Sequence, residues 1–245
     1  MKTAIVIPAR LGSSRFYGKI LANINGRPLI LHVLDRVKKC KNVDIIAVAT
    51  DDEKIVNALK NEHVNVFMTD INCKSGTDRI AQVAEKFLQD VDIFINVQGD
   101  EPLVSPFLVD KLISELKTDE NLNFITAAYP FADEQSAKNP NNVKVVFDKN
   151  FYALLFSRSL IPYNRANIDI TYFKHLGIYG YKRNFLINFA NSAPSKLEQA
   201  ESLEQLRALE NGYKVKIVIS DADSIGVDEP SDIEKVEKIL RGENL

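Results

Sequence analysis

Residues 5–19 read IVIPARLGSSRFYGK, and the change of character half way along this stretch decides how the rest of the chain is arranged. Ala4 to Ile7 form an apolar run, the composition of a strand buried on both faces. The run breaks at Pro8. The next residues set Arg10, Arg15 and Lys19 among Gly12, Ser13, Ser14 and Gly18. Small residues let the backbone approach a ligand closely, and their N–H groups can point into one concavity that attracts anions. Three cations around such a concavity suit a polyphosphate better than a bare surface turn. The loop is not a Walker A loop, because Gly18-Lys19 is followed by Ile20 rather than Ser or Thr. A strand that ends in a ligand loop is the arrangement of open α/β sheets, which bind at the carboxyl ends of their strands.

Working outward, the first half alternates short apolar runs with amphipathic stretches. Strands are predicted at Thr3–Ile7, Asp44–Ala49, Val64–Met68 and Ile93–Val97, with helices over Pro28–Cys40, Glu53–Glu62, Asp78–Leu88 and Pro106–Leu116. This alternation predicts an α/β layer fold with a mostly parallel sheet and helices on both faces. The second half is more mixed. Strands are expected at Phe124–Ala128, Val143–Phe147, Tyr152–Leu155, Lys174–Tyr181 and Lys214–Ile219, and helices at Arg183–Phe189, Leu197–Asn211 and Ser231–Arg241. No linker composition separates the halves, so one domain over 1–245 is expected, with a mixed subregion over roughly 124–190.

Two further loops follow predicted strands. Gln98-Gly99-Asp100-Glu101-Pro102 places Asp100 on the same rim as the first loop, either as a turn or cap carboxylate or as a ligand of Mg²⁺. That ion is typically held by one or two carboxylates together with substrate phosphates. Asp228, in Gly226-Val227-Asp228-Glu229-Pro230, is open to the same two readings, as a second metal ligand or a cap for the last helix. Ser75-Gly76-Thr77-Asp78-Arg79 reads equally as a capped helix start and as a holder of a base or ribose. In the second half Arg158, His175, Tyr179, Glu204, Gln205 and Arg207 stand out, since Arg and Gln would suit the carboxylate and hydroxyls of a sugar acid.

A net charge of −2 gives no global attraction to nucleic acid or anionic lipid, so anion binding must be local. Cys40 and Cys73 have no metal-ligand spacing and are expected to stay reduced. No apolar h-region follows Lys2, and no run approaches the roughly 20 apolar residues of a spanning helix. A cytoplasmic protein with no membrane or nucleic-acid partner is expected.

With these residues laid out, the chain resembles the 3-deoxy-manno-octulosonate cytidylyltransferases (CMP-Kdo synthetases). The matching stretches are PARLGSSRFYGK, INGRPLI, VATDDE, SGTDR, NVQGDEP, NPNNVKVV, YALLFSRSLIP, KHLGIYGY, LEQLRALENG and GVDEP, in order along essentially the whole chain. One departure is Tyr17, where the family usually has a proline whose ring would stiffen the loop. The resemblance implies a Rossmann-like nucleotidyltransferase fold, a homodimer, a Mg²⁺ cofactor, and activation of the sugar acid Kdo with CTP for lipopolysaccharide assembly. It further implies that Arg10, Ser14, Arg15 and Lys19 hold the triphosphate, with Lys19 and Arg15 on the leaving-group side. Ser75, Gly76, Thr77, Arg79 and Gln98 would flank the cytidine, and Asp100 and Asp228 would bind Mg²⁺. Arg158, His175, Tyr179, Glu204 and Gln205 would line the sugar site. The 8-amino analogue of Kdo is the close alternative acceptor. A CMP-sialate synthetase, a sugar transferase and a non-catalytic nucleotide-sugar module are more distant ones.

Overall fold

The computed structural model describes residues 1–12 and 16–243. The strand that opens the chain, β1 (Thr3–Ala9), runs two residues further than its apolar composition predicts, through Pro8. The proline is tolerated because of where its missing N–H would point. Val6 accepts from Val97 N on one side, so Pro8 faces that same side, where pairing with the neighbouring strand has ended at Val6↔Asn96.

The remaining strands are β2 (Asn23–Ile24), β3 (Arg27–Pro28), β4 (Ile45–Thr50), β5 (Asn65–Met68), β6 (Ile93–Asn96), β7 (Phe124–Pro130), β8 (Lys144–Phe147), β9 (Ala153–Ser157), β10 (Phe173–Lys182) and β11 (Lys216–Ile219). The helices are α1 (Leu29–Val37), α2 (Glu53–Leu59), α3 (Gly76–Lys86), α4 (Pro106–Thr118), α5 (Glu134–Lys138), α6 (Arg183–Ala190), α7 (Lys196–Glu201), α8 (Gln205–Glu210) and α9 (Pro230–Leu240). The main sheet runs β11-β7-β10-β6-β1-β4-β5. β1 is parallel to both β4 and β6, and β4 to β5, as the alternating first half predicts. The mixed character of the second half has one source. β10 enters antiparallel between β6 and β7, and also touches β8, which pairs with β9. Strands from both halves of the chain therefore share one sheet.

Side chains of β1 split by period two between the faces. Ile5 and Ile7 join a core with α1, α2 and α4, while Ala4 and Val6 join a second core with α3, α6 and α8. Val236 of α9 and Val227 of the segment before it pack with Ile24 of β2 and Leu29 of α1, and this anchors the segment that carries Asp228.

One helix differs from expectation. The stretch read as continuous over 197–211 breaks into α7 and α8 at Ser202, which adopts a left-handed φ of 52°. The break redirects the chain so that Glu204 and Gln205 start a new helix facing the sheet. No helix among the described residues is long and apolar enough to cross a membrane.

Candidate active site

β1 ends beside two loops. Pro8 O lies so close to the turn after β6 that a Cβ on Gly99 would sit 3.0 Å from it, so any side chain there would push the turn back by a few tenths of an ångström. The loop after β1, the N-terminus of α3 and the turn after β6 thereby converge on a cavity of about 300 Å³, lined by Arg10, Gly12, Lys19, Ser75, Gly76, Arg79, Gln98, Asp100 and Asp228 among others. A second cavity of about 390 Å³ is lined by Thr77, Asn96, Asn142, Lys174, His175, Tyr179, Glu204 and Gln205, and shares Gly76, Gln98 and Asp228 with the first. Two adjoining polar cavities with a common wall suit a reaction that joins two substrates.

Lys19 stands at the meeting of the loops. Its Nζ lies 2.5 Å from Asp100 Oδ2 and 3.0 Å from Asp228 Oδ1. Burial disfavours the ammonium, but the two carboxylates outweigh it and hold the Lys19 pKa above its usual value. This geometry resolves the cap alternatives. Ser105 caps α4, and the Asp232 carboxylate takes the N–H groups of Asp228 and Glu229 at the start of α9. Asp100 and Asp228 are left to face one point of positive charge. Two hard oxygen donors converging on one cation fit Mg²⁺, which draws its other ligands from phosphate and water. Behind them Glu101 is half-buried and its carboxylate accepts from the Ser224 hydroxyl. Burial, reinforced by the nearby Asp100 charge, pushes its carboxyl up to about 7 despite that hydroxyl.

On the α3 side the cap reading of SGTDR holds, and the same hydroxyls also bond across to Glu204. Ser75 caps the helix in a box with Asp78 and also donates to Glu204 Oε1 at 3.0 Å. Thr77 donates to Glu204 Oε2 at 2.5 Å, and Arg207 pairs with Glu204 Oε1 at 2.9 Å. Burial raises the Glu204 pKa even so. The Arg79 guanidinium is buried, held by Thr69 Oγ1 and by Asp51 Oδ2 at 2.8 Å. Gln98 donates to Asn96 Oδ1 at 3.1 Å. On β10 His175 is buried with both ring nitrogens engaged, and burial lowers its pKa to about 3. Tyr179 packs against it with ring centroids 5.5 Å apart, and burial pushes that phenol up.

The structure thus brings together most of the residues singled out in the sequence, with Arg207 outside both cavities as the partner of Glu204 and with two further exceptions. Arg158 lines neither cavity, because its guanidinium donates instead to the carbonyls of Glu201 at 2.7 Å and Pro140 at 3.1 Å. Ser14 and Arg15 lie outside the described residues. Sequence reading missed Asn96, Asn142, Lys174, Asp51 and Glu101 as individual residues. All five lie inside stretches that carry the family resemblance, which marks the stretch and not which residue in it faces the site.

The paired cavities lie beyond the carboxyl ends of the parallel strands, where open α/β folds bind ligands, and the family match makes the chain a nucleotidyltransferase. A cytidylyltransferase family model matches residues 4–217. A 3-deoxy-manno-octulosonate cytidylyltransferase of Fusobacterium nucleatum subsp. nucleatum is 46% identical over 245 residues, spanning 100% of this chain and 99% of that one. An 8-amino-3,8-dideoxy-manno-octulosonate cytidylyltransferase of Shewanella halifaxensis is 47% identical over 95% of this chain and 96% of its own. The solved structure of a CMP:2-keto-3-deoxy-manno-octonic acid synthetase complexed with CTP is similar at a TM-score of 0.94 and 40% identity, covering 99% of each chain. The chain belongs to the 3-deoxy-manno-octulosonate cytidylyltransferase family.

Proposed function

We propose that this chain activates 3-deoxy-D-manno-octulosonate with CTP, giving CMP-Kdo and diphosphate for lipopolysaccharide assembly. The observation that carries the reading is the Lys19–Asp100–Asp228 cluster in the first polar cavity, whose Asp228 also lines the second. The cavity after β1 would take CTP, with Arg10 and Lys19 on the triphosphate and Ser75, Gly76, Arg79 and Gln98 towards the cytidine. The cavity under β10 would take the sugar acid, with His175, Tyr179, Glu204 and Gln205 in its wall.

The anomeric hydroxyl oxygen bonds to the α-phosphorus while the bond from that phosphorus to the β-phosphate oxygen breaks. Diphosphate leaves with the electron pair, and the hydroxyl proton passes to solvent or to diphosphate. Such transfers depend on positioning and charge neutralisation more than on a protein nucleophile. Asp100 and Asp228 would hold Mg²⁺, which when bound neutralises phosphate charge and acidifies a nearby hydroxyl. Lys19, kept charged by those carboxylates, would stabilise the charge gathering on the leaving group. Arg15 belongs to the same proposal by its place in the loop sequence, and Arg158 by its place in the family motif.

The chain is read as a cytoplasmic homodimer, a single unit over 1–245 whose 124–190 subregion serves both the sugar and the partner subunit. The exposed Leu154 and Leu155 of β9 support an apolar contact there. The relative from Shewanella halifaxensis favours a second reading, the same chemistry on the 8-amino sugar. A diphosphate-release assay with a panel of sugar acids and all four nucleoside triphosphates tests both. Turnover with Kdo and CTP alone is expected. Turnover only with the amino sugar would favour the second reading, and none with any pair would defeat both.

A further inference from the structure

Between β11 and α9 the chain runs from Ser220 to Glu229 without helix or strand, and Asp228 sits near the end of this segment. Such a segment has no ladder of its own, so its position depends on what fastens it. Ser220 N donates to Ala128 O of β7 at 2.8 Å as the chain leaves the sheet. Lys174 of β10 then donates to Asp223 Oδ1 at 2.9 Å and to Ser224 O at 3.1 Å. The next fastenings go to the turn after β6. Val227 N donates to Asp100 O at 2.9 Å, and the Ser224 hydroxyl donates to Glu101 Oε2. Between them the backbone of Gly226 lies against the Glu101 carboxyl, where a Cβ would sit 3.0 Å from Oε1.

Glu101 lines neither of the two polar cavities, so it is not placed to touch a substrate. Its carboxyl lies instead in the wall of a cavity of about 10 Å³, too small for more than one water, with Val104, Leu108 and Leu176 beside it. A carboxyl held there adds like charge next to Asp100. What it provides is the one side-chain hydrogen bond among the described residues that joins the turn to this segment. Glu101 follows Asp100 directly, and Ser224 precedes Asp228 by four residues. With the two contacts of Lys19, the bond therefore closes a short ring through both carboxylates.

We propose that Glu101 is a positioning residue that clips the 220–228 segment to the turn after β6 and so holds Asp228 at the distance from Asp100 that a single cation bridges. That this cation is Mg²⁺ rests on the function proposed above; the clip does not. A carboxylate preorganised in this way binds a metal without its segment having to order when the metal arrives.

The clip is tested without metal or substrate. Hydrogen exchange of the ligand-free chain, read by mass spectrometry over residues 221–229, should quicken ~10-fold or more in Ser224→Ala, the scale of one lost hydrogen bond to a carboxylate, while β11 exchanges as in the parent. Unchanged exchange over 221–229 would overturn the clip whatever the chain acts on. The consequence is read in the Mg²⁺ requirement of two variants. Ser224→Ala keeps the Glu101 charge and loses the bond, whereas Glu101→Gln keeps an acceptor for Ser224 and loses the charge. The Mg²⁺ concentration for half-maximal diphosphate release should rise ~10-fold or more in the first and less than ~3-fold in the second. At saturating Mg²⁺ kcat should return to within ~2-fold of the parent in both, which a loss of folded protein would not allow. Equal effects on the Mg²⁺ requirement, or a larger one in Glu101→Gln, would refute the positioning role.

Discussion

Asp100 and Asp228 approach the same ammonium from opposite ends of the sequence, one after β6 and one before α9. Asp100→Asn keeps the size of the side chain and removes its charge. Diphosphate release should fall by ~100-fold or more, the scale of losing one preorganised electrostatic contact. The melting temperature should barely move, because Glu101 is relieved of a like-charged neighbour as Lys19 loses a partner. Near-normal kcat at saturating Mg²⁺ would remove Asp100 from the site. His175 gives a stability prediction with a definite sign. It is packed against Phe156 and Tyr179, with Thr126 and Gln205 at its nitrogens, and burial lowers its pKa from 6.5 to about 3. Between these values the unfolded chain binds a proton that the folded chain refuses, so stability rises with pH across the interval and is flat above it. The slope from this one group is up to about 1.4 kcal/mol per pH unit. Denaturant titrations from about pH 4 to 6.5 should show a shallower slope in His175→Asn, and an unchanged slope would mean that the ring is charged in the fold.

Among the elements, β10 shows how closely the helices press on the sheet. A Cβ on Gly180 would fall 2.7 Å from Ile125 Cγ2 and 2.8 Å from Leu116 Cδ1, so α4 and β7 both close on this position. Gly180→Ala should therefore cost ~1–3 kcal/mol by overpacking. Gly177, on the same strand, would meet nothing within 4 Å, and Gly177→Ala is expected to be near neutral in the same unfolding titration. Most elements were legible from periodicity because their apolar residues face one core each, as Ile80, Val83 and Ala84 do on α3. The α7–α8 break was not. Leu203, Leu206 and Leu209 keep helical spacing and Leu197, six residues before Leu203, falls off that face, but residues 198–202 hold no Gly or Pro to announce a left-handed residue. The turn is imposed by tertiary contacts, chiefly the Glu204 carboxylate bound to Ser75 and Thr77 of α3.

At the scale of the molecule, the two cavities lie where strands from both halves of the chain meet, so ligand binding should stabilise the whole fold. CTP with Mg²⁺ at a hundredfold excess over Kd contributes about 2.7 kcal/mol, or roughly 5–10 °C in a chain of this size. A thermal melt should show that shift for the wild type, and Asp100→Asn should lose the part that depends on Mg²⁺. An equal shift in the variant would separate the metal from this carboxylate.

What the sequence by itself determined is local chemistry: the loop of small and basic residues after β1, the acidic turn after β6, and the alternation that makes a parallel sheet. These follow from spacing along the chain, which is a property of neighbours. Only the tertiary structure decided what each group does with its partners. It joined Lys19 to Asp228 across 209 positions, and it committed the Arg158 guanidinium to main-chain carbonyls. It also closed both nitrogens of His175. Hydrogen bonds and ion pairs are spent on whatever group folding brings near, and burial then sets their strength and the protonation of the groups that make them.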